Sequence, residues 1–138
     1  MKLIKNILII FLLFPILVSA QIKTGAERTE VYIPKLQNKR VAICGNQTSK
    51  IGDVHLIDTL FRLNINLVSI FAPEHGFRGD AEAGAHIESG VDPKTGIPVV
   101  SLYGNNKKPT KEQMQNIDIL VFDIQDVGCR FYTYINVL

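Results

Sequence analysis

Apolar residues along this 138-residue chain fall into separate blocks of unequal length. The first runs from Ile7 to Val18, interrupted only by Pro15, with Lys2 and Lys5 before it and Val18-Ser19-Ala20 at its end. A basic start, a short apolar run and a small-residue site predict a signal peptide over residues 1–20, cleaved after Ala20. The run is short of the roughly 20 apolar residues that span a bilayer. A retained anchor is therefore the second reading, and no stable membrane anchor is expected. No cysteine follows the run, as a lipoprotein would require. The protein is expected to be secreted or periplasmic.

Residues 21–39 read as a polar leader. Four compact apolar blocks then follow: Arg40 to Cys44, Asn66 to Ala72, Pro98 to Tyr103 and Ile117 to Asp123. Each is strand-length, and the first three stop at Gly45-Asn46, Pro73 and Gly104. Between the first two, Leu56, Ile57, Leu60, Phe61 and Leu63 give a helical face within Val54 to Leu63. Lys111 to Asn116 is a weaker helix, with Thr110 as its N-cap. Nearly continuous apolar strands separated by helices predict a parallel sheet covered on both faces. The fold class is α/β, a Rossmann-like three-layer sandwich with a mostly parallel sheet. Right-handed crossovers bring all four strand ends to one edge, where such sheets bind ligands. The chain stops at Ile135-Asn136-Val137-Leu138, where a covering helix should begin. Residues 40–138 are accordingly expected to be an incomplete Rossmann-like domain, a truncated piece of a longer protein.

Charge changes the picture little. The chain has 15 Lys+Arg and 13 Asp+Glu, and Lys2 and Lys5 leave with the signal peptide, giving 13 against 13. A neutral mature chain has no electrostatic reason to bind nucleic acid. Cys44 and Cys129 each follow a strand, so a disulfide is conceivable, although two thiols are the plainer reading. Cys44-Gly45-Asn46-Gln47-Thr48-Ser49-Lys50-Ile51-Gly52 is neither a G-x-G-x-x-G turn nor a phosphate-binding P-loop, so no nucleotide cofactor is expected, and none of another kind.

Polar residues gather where the strands end. Asn46, Gln47 and Thr48 follow the first, Pro73 to Asp80 the second, and Asp123, Gln125, Asp126, Arg130, Tyr132 and Tyr134 the fourth. Converging on one cleft, this mixture suits a sugar: amides and carboxylates bond hydroxyls, rings stack on pyranose faces, and an arginine such as Arg78 or Arg130 grips a carboxylate. Glu74 is the leading acid/base candidate, since burial after an apolar strand would keep it protonated. Glycoside hydrolysis needs such a donor and generally a second carboxylate, for which Asp123 and Asp126 are placed. The plainer reading of Glu74 is a loop ion pair with Arg78. Asp123 could equally anchor its loop, Arg130 could sit in a surface ion pair, and Tyr132 and Tyr134 could pack in the core. His75 and His86 with Glu74, Asp80, Glu82 and Glu88 could hold a metal, but their spacing matches no specific motif, and no metal is expected.

The blocks Asn46-Gln47-Thr48, Phe71 to Asp80 with its Pro-Glu-His-Gly core, Thr95 to Gly104, and Asp118 to Tyr134 with Asp-Ile-Gln-Asp-Val-Gly resemble the exo-acting peptidoglycan N-acetylmuramidases, a family formerly of unknown function. The resemblance covers nearly everything after Arg40, with Gly45 and Cys129 as departures. It implies release of N-acetylmuramic acid from the non-reducing ends of peptidoglycan fragments, by a Rossmann-like domain joined to a smaller C-terminal one. It also implies that Glu74 is catalytic and that His75, Arg130 and the tyrosines lie in the cleft. The partners would be saccharides containing N-acetylmuramic acid. The alternatives are a non-catalytic muropeptide-binding module and a metal-dependent hydrolase.

Overall fold

The structure is a computed structural model that describes residues 22–79, 89–104, 106–125, 128–129 and 134. The segment expected to be the signal peptide lies outside them. Helix α1, Thr29–Leu36, comes first. It falls inside the segment expected to be a leader, yet Leu36 is buried and Tyr32 and Ile33 pack on the core. Pro34 inside it and its single buried residue hide it from the sequence pattern. Strand β1, Val41–Gly45, follows and is buried at all five positions. A two-residue strand β2, Lys50–Ile51, pairs antiparallel with β3, Val54–His55. Helix α2, Leu56–Arg62, begins immediately after, at the first residue of its apolar face and two residues inside the expected Val54–Leu63 span.

The remaining elements are β4, Leu67–Ala72; β5, Gly90–Val91; β6, Pro98–Ser101; α3, Lys111–Met114; and β7, Ile119–Asp123. Thr110 caps α3 as expected, in a reciprocal capping box with Gln113. The main sheet has the order β5-β6-β4-β1-β7, parallel except at the β5 edge. Interior β1 is covered on both faces of the sheet, which is why its sequence is uninterrupted apolar. Side chains alternate between faces. Val41, Ile43, Ile70, Ala72 and Val99 join Leu56, Ile57 and Leu60 of α2 in one cluster. Ala42, Cys44, Phe71 and Leu102 face the other way, with Met114 of α3 against them. The three-layer α/β arrangement is thus present.

Register fixes what the sheet presents at its edge. Gly45 pairs with Asp123, Cys44 with Phe71, and Ala72 with Ser101. The four parallel strands therefore end level with one another. The second and fourth predicted strands, β4 and β7, do not meet, however: β1 lies between them. Strand order depends on long-range pairing, which strand-length apolar runs do not encode. Two strand spacings separate the backbones of β4 and β7 by about 9–10 Å.

Candidate functional site

The loop after β1 is built on short polar bonds. The Asn46 side-chain oxygen accepts from the Thr48 N–H (2.9 Å) and hydroxyl (2.6 Å), and the Asn46 N–H donates to Ser49 Oγ (3.0 Å). This is the local turn that asparagine favours. It consumes the Asn46 acceptor, and Asn46 is almost fully buried. Two bonds then join this loop to the end of β7: the Ser49 hydroxyl donates to the Asp123 carbonyl, and the Gln125 N–H donates to Thr48 Oγ1 at 3.3 Å. Gly45 makes room for the first. A Cβ there would lie 2.7 Å from Ser49 Oγ.

Asp123 ends β7 half-buried. Its neighbours Ile119 and Val121 pack with the α2-side cluster, so alternation puts its side chain on that face. Its Oδ2 is buried without a hydrogen-bond partner among the described residues. Burial pushes its carboxyl above the ordinary carboxylate range. Among the described residues, Gln47 Oε1 is the other buried side-chain acceptor left unpaired. Gly79 presses on this side chain, where an added Cβ would come within 2.8 Å of Gln47 Cβ.

Glu74 occupies the turn that leaves β4. The Gly76 N–H donates to the Pro73 carbonyl at 3.1 Å, and His75 at the third position has φ +71°. Such a turn favours glycine there, and the left-handed backbone costs histidine roughly 1–2 kcal/mol. Glu74 and His75 are half-buried, and among the described residues neither makes a hydrogen bond or ion pair. The alternative of a Glu74–Arg78 pair is not what forms. Arg78 instead lies between two aspartates: Nε and Nη2 reach Asp92 (3.0 and 2.8 Å), and Nη2 and Nη1 reach Asp58 (2.9 and 3.4 Å). Both aspartates are buried. Lys94 also bonds Asp58, and Thr95 Oγ1 bonds Asp92 at 2.5 Å. The guanidinium holds the Asp92 carboxyl down at about 2, and it lies 4.8 Å from the Phe77 ring centroid.

His55 completes the support. Its Nδ1 accepts from the Ile57 N–H at 3.3 Å, capping α2. The proton must then sit on Nε2, which faces the Phe77 carbonyl at 2.9 Å and the Asn46 carbonyl at 3.1 Å. Sequence reasoning overlooked His55, Ser49, Asp58 and Asp92. Only weak signals marked them: His55 directly precedes an apolar helical run, and Asp92 begins Asp92-Pro93-Lys94-Thr95-Gly96, a turn pattern.

A cleft of about 400 Å³ opens beside this support, lined by Gln47, Lys50, His55, Asp58, Arg78 and Lys94 among others. Glu74 does not line it. Among the described residues no three His, Cys, Asp or Glu side chains converge as metal ligands; His86, Asp80, Glu82 and Glu88 lie outside those residues. So do Asp126, Arg130 and Tyr132, while Tyr134 is half-buried. Cys44 and Cys129 are free thiols, one buried and one exposed. Burial pushes the Cys44 thiol up to about 12.

Comparison with known proteins bears directly on this edge. The chain is 50% identical over 106 residues to a Bacillus subtilis protein named peptidoglycan beta-N-acetylmuramidase NamZ, a match covering 75% of this chain and 26% of that protein. Crystal structures of two DUF1343 family proteins from Bacteroides fragilis share the fold. One has a TM-score of 0.71 at 46% identity, covering 82% of this chain and 28% of the other. The second has a TM-score of 0.65 at 49% identity, covering 80% and 27%. The chain thus spans about a quarter of the length of these relatives. The family described as exo-beta-N-acetylmuramidase NamZ, N-terminal, matches residues 41–138, from the first residue of β1 through the whole polar edge. This chain belongs to that family.

Proposed function

We propose that this chain forms the Glu74-bearing side of the active site of a glycoside hydrolase that removes N-acetylmuramic acid from the non-reducing ends of peptidoglycan fragments. The observation that carries the reading is the arrangement at the sheet edge. Glu74 follows β4 and Asp123 ends β7, strands on either side of β1 that end level with each other. Glycosidases work with a pair of carboxyls in unlike environments. The 50% identity to a protein named as a peptidoglycan beta-N-acetylmuramidase supports the same substrate class.

In this reading Glu74 protonates the glycosidic oxygen as the bond to the anomeric carbon breaks. A water adds its hydroxyl to that carbon, and its proton restores Glu74. Asp123, whose carboxyl holds its proton more tightly because of burial, bonds a sugar hydroxyl, and Asp126 is the further carboxylate candidate. His75 adjoins the reacting groups. Gln47, whose buried oxygen lacks a partner, and Gln125 bond substrate hydroxyls, with Tyr132 and Tyr134 stacking on the ring. Arg130 faces the lactyl carboxylate of muramic acid. Asn46 and Arg78 serve substrate binding indirectly, because turn and ion-pair bonds already occupy them. The enzyme acts outside the cytoplasm after removal of residues 1–20. Release of N-acetylmuramic acid from a chromogenic muramide, by this chain and by the protein at the full length of its relatives, tests the reading. Silence from the full-length protein would refute it.

A further inference from the structure

Glu74 is carried by a turn that holds a left-handed histidine, and the Glu74 side chain makes no bond of its own among the described residues. Its position therefore depends on what grips the residues just beyond it. Phe77 is sunk in the α2-side core, and Arg78 is fixed between Asp58 and Asp92. Neither contact links this loop to the loop that follows β1. His55 does. Its single Nε2–H points to the carbonyl of Phe77, three residues past Glu74, and to that of Asn46, one residue past the tip of β1. The ring is held edge-on to Phe77, with centroids 5.8 Å apart at 84°. Because Nδ1 is occupied by the α2 cap, the tautomer that donates from Nε2 is enforced.

We propose that His55 is a positioning residue for Glu74: one imidazole caps α2 with Nδ1 and, with Nε2–H, ties the Glu74 loop to the tip of β1. The proposal rests on the acid/base role given to Glu74 above. A misplacement of about 1 Å at a reacting group can cost on the order of 100-fold in rate, so a contact far from the substrate can act mainly on kcat.

The two nitrogens can be separated. Asparagine at position 55 keeps a good helix cap but is too short to reach the Phe77 carbonyl, whereas glutamine can place its amide N–H near the Nε2 position. Both variants should be made in the full-length protein and compared for thermal midpoint, kcat, KM and hydrogen exchange at the Gly76 amide. His55→Asn is expected to lower kcat by on the order of 10-fold or more, with KM nearly unchanged. Gly76 exchange should quicken while the β1 and α2 amides stay protected, and His55→Gln should recover most of both. Wild-type kcat and Gly76 exchange in His55→Asn would overturn the proposal, as would a His55→Gln variant impaired equally. If the wild-type protein releases no N-acetylmuramic acid, the proposed reaction fails. Gly76 exchange then decides the role of His55 alone: quickening supports it, and no change overturns it.

Discussion

The Ser49 hydroxyl donates to the main-chain carbonyl of Asp123, fastening the loop after β1 to the last residue of β7. The bond exists because position 45 is glycine and leaves the hydroxyl its space. Gly45→Ala is therefore expected to lower stability by about 1–3 kcal/mol, the usual range for overpacking. In a Ser49→Ala background the penalty should shrink, because the clashing oxygen is gone. Urea unfolding of the four proteins in this cycle measures the coupling. Additive losses would mean that the two residues do not compete for space.

Burial raises the carboxyl of Asp123, and the sign of its effect follows. The folded state holds this proton more tightly than the unfolded chain, so the contribution is fully present at low pH and is lost as pH rises. Asp123→Asn removes the charge that burial opposes. Its thermal midpoint is expected to exceed that of wild type at pH 7, with the gain fading below about pH 3, where the unfolded carboxyl is also neutral. A variant less stable than wild type at pH 7 would show that ionised Asp123 is well accommodated.

Arg78 behaves in the opposite sense. It holds the Asp92 carboxyl down at about 2, against about 3.9 in an unfolded chain. Stability from this pair is present above about pH 4 and is lost as pH falls toward 2. Arg78→Leu leaves two buried carboxylates unmatched except by exposed Lys94, a change expected to cost about 3–5 kcal/mol at pH 7. Acid should then stabilise the variant rather than weaken it. Denaturant unfolding at pH 7 and pH 4 checks the inversion.

What the sequence made legible was local. Val41 to Gly45 is read as a strand because burial on both faces leaves no polar position to blur the pattern, and Leu67 to Ala72 because Ser69 alone interrupts its apolar run. Thr110 is readable as a cap because Gln113 lies three residues on. Helix α1 escaped because Pro34 sits inside it and few of its residues are buried. The placement of β1 between β4 and β7 escaped because a parallel strand carries no mark of its neighbour.

The same division holds at the site. Glu74 and Asp123 are visible as polar residues that end apolar runs. Asp58 looks like an ordinary first-turn helix residue, and Asp92 lies 14 residues beyond the arginine it binds. Their meaning is tertiary. Arg78, read as a sugar ligand from its place in the polar block, finds its partners in these two aspartates.

The role of Glu74 is tested most directly by the rate of N-acetylmuramic acid release from a chromogenic muramide. The assay compares the full-length protein with its Glu74→Gln variant, which keeps size and polarity but cannot give or take the proton. A loss of about 100-fold or more in kcat is expected, the scale of general acid–base catalysis. A Glu74→Gln protein that turns over as fast as wild type would contradict it.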